Sequence, residues 1–480
     1  MIRKKRLKRS CVPWKSSMGK RILCAWCITC LPVLLLAQPA NALHDFLRSA
    51  GLEHASIGIS VKRVSDGGVV CEHNPRLSLR PASVLKLLST FLALEKRGEQ
   101  FTYRTTLSYA GTIRDGTLHG RLIIAAGGDP ALESAYFPAT SFLSSIVEAV
   151  RQAGIKRLAA PPVVVEPGET PRVPGSWPWE DLSNYYGALY HSFNYRDNTY
   201  AVTLAAGKPG SLATILSVDP PGLELALDNR VITDPAGRND VWIYGGPFAS
   251  RLLVAGNVTG NPPRYLVKGA MHFPASAFTG ELVERLKSGG IRVERDPLPR
   301  ADSLLEGERH LLLTVESPSL EEIVYQTNKR SVNLFAEALG ALVDPVDFEK
   351  AVKERLGSAG IDTSGVMMED ACGLSPMNAV PAAFFTDFLL WAFPRSSRAF
   401  WESFPEGASD ASLAVYAAHP LLGHGLRAKT GSMTRVRALS GYLLSPRDGW
   451  LAFTLLVNNY TCSPRQLQEF TRDFLAGLLR

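Results

Sequence analysis

Ser83-Val84-Leu85-Lys86 sets a hydroxyl and an amine three residues apart. On a helix those two side chains share a face and can touch. A serine hydroxyl is a weak nucleophile until a base takes its proton. Lysine serves as that base only where burial or nearby positive charge lowers its pKa. The spacing alone also fits a helix cap at Ser83 with a solvated Lys86. Ser17-Met18-Gly19-Lys20 has the same pattern near the chain start. A second cluster, Lys429-Thr430-Gly431, is more specific. Lys429 offers a fixed positive charge to a substrate carboxylate, and Thr430 a hydrogen bond. Gly431 lets substrate backbone lie along a strand without a Cβ clash. Lys287-Ser288-Gly289 is a rival that reads as a helix end. A third pair, Ser331 and Asn333, precedes a helical run from Leu334 to Val343. Ser331 is a candidate second hydroxyl, relaying protons between Lys86 and a leaving amine, and Asn333 a candidate holder of a substrate amide. Ser192-Phe193-Asn194 has the same spacing, but it sits in a turn-like polar stretch.

These groups need elements to hold them. Residues 56–72 read as a β-hairpin around Ser65-Asp66-Gly67-Gly68. A helix follows from about Pro81 to Lys96, apolar nearly all round, so it belongs in a core. Near the other end, Leu426–Gly431, Ala438–Ser445 and Trp450–Asn458 read as strands joined by short links, which implies antiparallel pairing. A helical stripe through Leu467, Phe470, Phe474 and Leu478 closes the chain. Strands and a helix from each end could thus share one antiparallel sheet covered by helices. The stretch from about 104 to 268 is rich in short strand-like runs, glycine and proline, and reads as a β-rich insertion. A helix then opens at Phe278 and ends at Gly289-Gly290.

With 480 residues the chain is long enough for two or more domains. The expected division is 1–42 leader, 43–104 first part of the sheet domain, 105–268 insert, and 269–480 second part. The net charge of +7 invites a nucleic-acid reading. That reading fails, because nine basic residues and no acidic one lie in residues 1–42, and beyond them the two signs nearly balance. The leader has a basic stretch to Arg21, an apolar run from Ile22 to Ala37 and the small-residue site Ala40-Asn41-Ala42, as in a secretory signal. Export, with no membrane span after cleavage, is the expectation. Four of seven cysteines fall in this leader, and Cys71, Cys372 and Cys462 remain without a metal-type spacing. No metal or phosphate-binding pattern is present.

S-x-x-K, S-x-N and K-T-G in this order form the set of penicillin-binding proteins and β-lactamases. The chain resembles the low-molecular-mass class C penicillin-binding proteins, the penicillin-binding protein 4 type of D-alanyl-D-alanine carboxypeptidase and endopeptidase. Gly127-Gly128-Asp129-Pro130, Tyr186-Gly187-Ala188 and Asp370-Ala371-Cys372-Gly373-Leu374-Ser375 extend the resemblance over nearly the whole mature chain. It departs at Val332, where the family more usually has Asp, and at Cys372, where a small hydroxyl residue is usual. The resemblance implies an α+β multidomain protein: a transpeptidase/β-lactamase-like domain, with a five-stranded antiparallel sheet flanked by helices, and inserted β-rich domains. It implies a Ser83 acyl-enzyme formed with Lys86 as base, backbone N–H groups of Ser83 and Ser432 as oxyanion hole, and Lys429 and Thr430 holding a terminal carboxylate. No cofactor is required. Peptidoglycan stem peptides and β-lactam antibiotics are the implied partners, and the periplasm the implied location. Two rivals share the motifs: a β-lactamase or esterase with the same nucleophile, and a non-catalytic wall-binding homologue.

Overall fold

The computed structural model describes residues 39–137, 141–167, 173–223, 225–294 and 308–480. Up to residue 38, the expected leader lies outside the described residues. No helix among the described residues is long and apolar enough to cross a membrane.

Strands β1 (Ser56–Arg63) and β2 (Val69–His73) form the expected hairpin. Ile57, Ile59 and Val61 alternate along β1 and are all buried. Helix α1 (Lys86–Arg97) starts later than the expected Pro81, because Ala82–Leu85 wind as a 3₁₀ turn. Ala82 has φ +46, a left-handed conformation from which a regular α-helix cannot start. Leu87, Leu88, Phe91 and Leu92 of α1 are buried, each contributing ~1.5–3 kcal/mol of apolar burial.

The insert begins with β3 (Arg104–Arg114) and β4 (Thr117–Ala125), joined at Asp115-Gly116. Both turn residues have positive φ, as a tight two-residue hairpin requires. Helix α2 (Phe142–Gln152) follows. Then come β5 (Thr199–Ala205), β6 (Thr214–Asp219), β7 (Leu227–Thr233), β8 (Asp240–Tyr244), β9 (Leu252–Val258) and β10 (Arg264–Ala270). They make two three-stranded sheets, ordered β10-β5-β6 and β7-β9-β8. Helix α3 (Pro274–Ser288) begins earlier than the expected Phe278, with Pro274 in its first turn, where a missing N–H costs nothing. Its Phe278, Leu282 and Leu286 join the insert's apolar cluster with Phe142, Ile146 and Val202. Strand β11 (Arg309–Glu316) pairs with β3 in a larger mixed sheet. This packing supports an insert that runs from about 104 to 316, past the 268 expected from composition.

Helices α4 (Leu320–Arg330), α5 (Asn333–Val343) and α6 (Ala382–Ala392) follow. Strands β12 (Leu426–Met433), β13 (Val436–Ser445) and β14 (Gly449–Asn458) and helix α7 (Pro464–Leu478) complete the chain. The five-stranded sheet has the order β12-β13-β14-β1-β2 and is antiparallel throughout. Each face has its own core. One face gathers Tyr442, Ala452 and Leu456 with α1, α4, α5 and α6. The other gathers Ile59, Leu439, Phe453 and Leu455 with Phe474 and Leu475 of α7. This is the expected α+β architecture.

Candidate active site

Ser83 sits in the 3₁₀ turn just ahead of α1, and Lys86 is the first residue of that helix. In a 3₁₀ turn positions three apart eclipse one another. Lys86 Nζ accordingly donates to Ser83 Oγ at 3.0 Å. The turn is strained at Ala82 and clamped from two sides. A Cβ on Gly431 would lie 2.6 Å from the Pro81 carbonyl oxygen and 3.1 Å from Ser83 N. A Cβ on Gly373 would lie 2.0 Å from the Ala82 carbonyl oxygen. Gly431 was expected to make room for substrate, but its bare α-carbon first makes room for the Ser83 turn.

Lys86 is fully buried. Its Nζ also donates to Asn333 Oδ1 and to the Cys372 carbonyl, both at 2.6 Å. Asn333 Oδ1 and the Cys372 carbonyl can take the two hydrogens of a neutral amine, which leaves its lone pair to the Ser83 hydroxyl, and Ser83 Oγ becomes a third acceptor when the amine is protonated. Burial pushes Lys86 below the ordinary lysine range, against the pull of the Cys372, Asp370 and Glu337 positions. The loop that supplies the Cys372 carbonyl is pinned by Asp370. That carboxylate accepts from Gly373 N at 2.7 Å, Ser375 N at 2.6 Å, Asn378 Nδ2 at 2.9 Å and, from the insert, Trp177 Nε1 at 2.9 Å.

Ser331 is the left-handed cap of α4, with φ +59, and does not cap the helix that follows. Its Oγ accepts from Lys429 Nζ at 2.9 Å. The expected relay linked Ser331 to Lys86, whereas the direct partner is the lysine of β12. Lys429 is buried and also donates to the Thr430 carbonyl at 2.9 Å. Burial, then the Lys86 charge, hold it well below the ordinary lysine range. Asn333 opens α5 and gives its Nδ2 hydrogen to the Tyr186 carbonyl at 2.8 Å. Its carboxamide therefore joins Lys86 to the insert, and its second Nδ2 hydrogen is the one left to meet the expected substrate amide.

Ser83, Ser331, Asn333 and Ser432 line one cavity of about 720 Å³, with Lys86 and Lys429 directly beneath. Thr430 is placed differently. It pairs across the sheet with Leu439, whose side chain belongs to the opposite core, and it lines a small separate pocket with Tyr416 and Thr471. Neighbours in a strand point to opposite faces. Thr430 is absent from the residues lining the catalytic cavity, but Ser432, two positions further along the same strand, lines both spaces.

Glu337 was not singled out from sequence. It lies four residues after Asn333 on α5, a spacing that places both on one helix face. Its Oε1 accepts from Ala371 N at 3.0 Å, and its carboxyl is pushed up to about 7 by burial and then by Asp370. Glu337, Asp370 and Cys372 bring their side-chain donor atoms within 4.8 Å of one another, a metal-sized cluster that spacing along the chain had not suggested. Asp370 is already engaged by four N–H donors, and Lys86 stands alongside, so the trio reads as a hydrogen-bonded support.

A half-buried Ser83 on a buried Lys86, facing Ser331 on the buried Lys429 of an edge strand, gives a five-stranded antiparallel sheet between helices the groups of a serine acyl-transfer site. Residues 40–478 match the D-Ala-D-Ala carboxypeptidase 3 (S13) family. The chain belongs to that family and is of the penicillin-binding protein 4, class C type. It is 27% identical over 480 residues to a D-alanyl-D-alanine carboxypeptidase of Actinomadura sp. (strain R39), covering 90% of this chain and 86% of the relative. It is 24% identical over 440 residues to D-alanyl-D-alanine carboxypeptidase DacB of Haemophilus influenzae, covering 85% and 86%. The crystal structure of penicillin binding protein 4 (dacB) from Haemophilus influenzae superposes with a TM-score of 0.75 at 22% identity, over 91% of this chain and 99% of that one. The same protein complexed with a novel β-lactam gives 0.69 at 21% identity, over 89% and 97%.

Proposed function

We propose that this enzyme cleaves D-alanyl-D-alanine ends, and D-alanyl crosslinks, of peptidoglycan peptides through an acyl-enzyme on Ser83. The observation that carries the reading is the 3.0 Å bond between the buried Lys86 Nζ and the Oγ of Ser83, which lines the cavity. Ser83 Oγ attacks the carbonyl carbon of the penultimate D-Ala as a neutral Lys86 takes the hydroxyl proton. The oxyanion is held by the N–H groups of Ser83 and Ser432, each donor of this kind supplying about 3 kcal/mol. Collapse breaks the C–N bond, and the leaving amine receives its proton through the Ser331 hydroxyl. Lys429, hydrogen-bonded to Ser331, supplies that proton or restores it. The terminal carboxylate of the substrate favours the charged form of Lys429, reversing the burial that suppresses it. Lys86 passes the proton it took from Ser83 to the Ser331–Lys429 pair, replacing the one given to the amine; neutral again, it takes a proton from water, whose oxygen attacks the ester, and returns that proton to Ser83 as the acid leaves. Gly431 keeps the turn in place, and Thr430 acts in this scheme through the backbone of β12. Penicillins enter the same path and stop at the acyl-enzyme.

The leader at 1–42 supports export, and the reading places the enzyme in the periplasm. Purified protein mixed with a fluorescent penicillin should form a long-lived adduct that Ser83→Ala abolishes. Labelling no better than the variant would sink the proposal in favour of a non-catalytic wall-binding protein. Fast turnover of the penicillin would favour a β-lactamase.

A further inference from the structure

The cavity that holds Ser83 is lined by more than the catalytic groups, and several of its other lining residues are aromatic. Trp242 and Tyr244 line it together with Tyr185, Glu180 and Lys268. Both Trp242 and Tyr244 belong to β8, an edge strand of its sheet. They are two residues apart, so their rings share one face and stand about 7 Å apart along the strand. Val241 and Ile243, between and beside them, point the other way into the core. Trp179, carried on the segment that also supplies Glu180 and Asp181, stacks on Tyr244 with centroids 5.9 Å apart and planes at 19°. Trp179 is 63% exposed and Trp242 40%. The Trp242 indole N–H is already engaged by Asp240 Oδ1 at 2.6 Å, which fixes the ring and leaves its face as the surface on offer.

We propose that Trp179, Trp242 and Tyr244 form a saccharide-binding platform for the glycan strand to which the stem peptide is attached. This rests on the wall-peptide reading above and extends it. An N-acetylated pyranose presents a flat face of C–H groups, whose partial positive charge suits the negative face of an aromatic ring. Its hydroxyl and acetamido groups lie around the rim, where Glu180 and Asp240 accept hydrogen bonds and Lys268 donates them. The mixed signs at the rim suit a neutral, hydroxyl-rich ligand. Position agrees with chemistry, because Trp242, Tyr244 and Ser83 line the same cavity and Trp179 stacks on Tyr244. A stem of four residues spans ~14 Å at full extension, which sets the range from Ser83 within which its sugar must lie.

The test is direct binding of peptide-free glycan oligosaccharides to the full-length protein, read by calorimetry and by tryptophan fluorescence. Wild type should bind. Trp242→Ala and Trp179→Ala should each weaken binding roughly tenfold, the scale of one lost stacking contact. Trp242→Tyr, which keeps a ring, should recover most of it. No binding by wild type, or equal binding by both alanine variants, overturns the platform. Displacement of the glycan by a free stem peptide lacking sugar also overturns it, since the surface would then be a peptide site. Penicillin labelling of the same samples keeps the two readings apart. Loss of the adduct counts against Ser83 chemistry, whereas loss of glycan binding counts against the platform alone.

Discussion

Asn333 turns the acceptor end of its carboxamide to Lys86, Oδ1 to Nζ at 2.6 Å, and the donor end to the Tyr186 carbonyl at 2.8 Å. One side chain thus ties the base to the insert. Asn333→Ala removes an acceptor from a buried amine and frees the Tyr186 segment. Acylation by a fluorescent penicillin should fall about 100-fold, the loss typical of one aligned active-site hydrogen bond. Asn333→Asp keeps the shape and adds a negative charge beside Lys86. It should raise the proton affinity of Lys86 and move the rising limb of acylation to higher pH. An unchanged pH profile in Asn333→Asp would remove Asn333 from control of the base.

Glu337 makes a second pH prediction. Its carboxyl is pushed up to about 7, so it gains charge near neutrality, and that charge pulls Lys86 towards the protonated form. Glu337→Gln removes the pull, and the acylation limb should move to lower pH. The stability sign is also defined. A carboxyl raised above its ordinary 4.5 favours the folded state while protonated, and that contribution is lost as pH rises through about 7. The Tm of Glu337→Gln should therefore gain on wild type between about pH 5 and about pH 8. A gap that stays constant or shrinks contradicts this account of Glu337.

Gly431→Ala places a methyl 2.6 Å from the Pro81 carbonyl oxygen. Overpacking of this kind costs about 1–3 kcal/mol. Because the clash falls on the turn that carries Ser83, the rate of penicillin labelling should drop far more than stability does. Equal loss of both, followed by urea unfolding and labelling on one preparation, would place the glycine's importance in folding alone.

Trp177→Phe withdraws one of the four donors that hold Asp370. A lost bond to a buried carboxylate costs about 1–3 kcal/mol. The larger expectation is functional. The loop bearing the Cys372 carbonyl should loosen, and acylation should slow although Trp177 is absent from the residues lining the catalytic cavity. Labelling at the wild-type rate would show that the insert stabilises this loop without tuning Lys86.

The sheet and its helices were legible because alternating Ile57, Ile59 and Val61 and the apolar α1 announce their periods in the sequence. Ser83, Lys86, Ser331, Asn333 and Lys429 were legible as motifs, and the fold brings them together. Their pairing was not legible. The Ser331–Lys429 bond and the Asn333–Lys86 bond depend on how α4, α5 and β12 meet, which no local pattern encodes. The facing of Thr430 was not legible either, because a tripeptide motif does not say which residues of a strand line the cavity. Ala82 was invisible, since only tertiary clamping by Gly373 and Gly431 explains an alanine in the left-handed region. The packing of α3 against the insert was not legible, because the sequence of one helix does not say which sheet it covers.

The register of the central sheet has a temporal consequence. Ser56 of β1 pairs with Asn458 of β14, and Lys429 reaches Ser331 from β12. A chain made from its N-terminus therefore exposes the Ser83 turn long before the strands that complete its sheet and clamp exist. Until the last strands dock, Gly431 cannot brace the nucleophile, and Lys429 cannot reach Ser331. A chain that ends before β12 would therefore lack both the glycine that braces the Ser83 turn and the lysine that reaches Ser331.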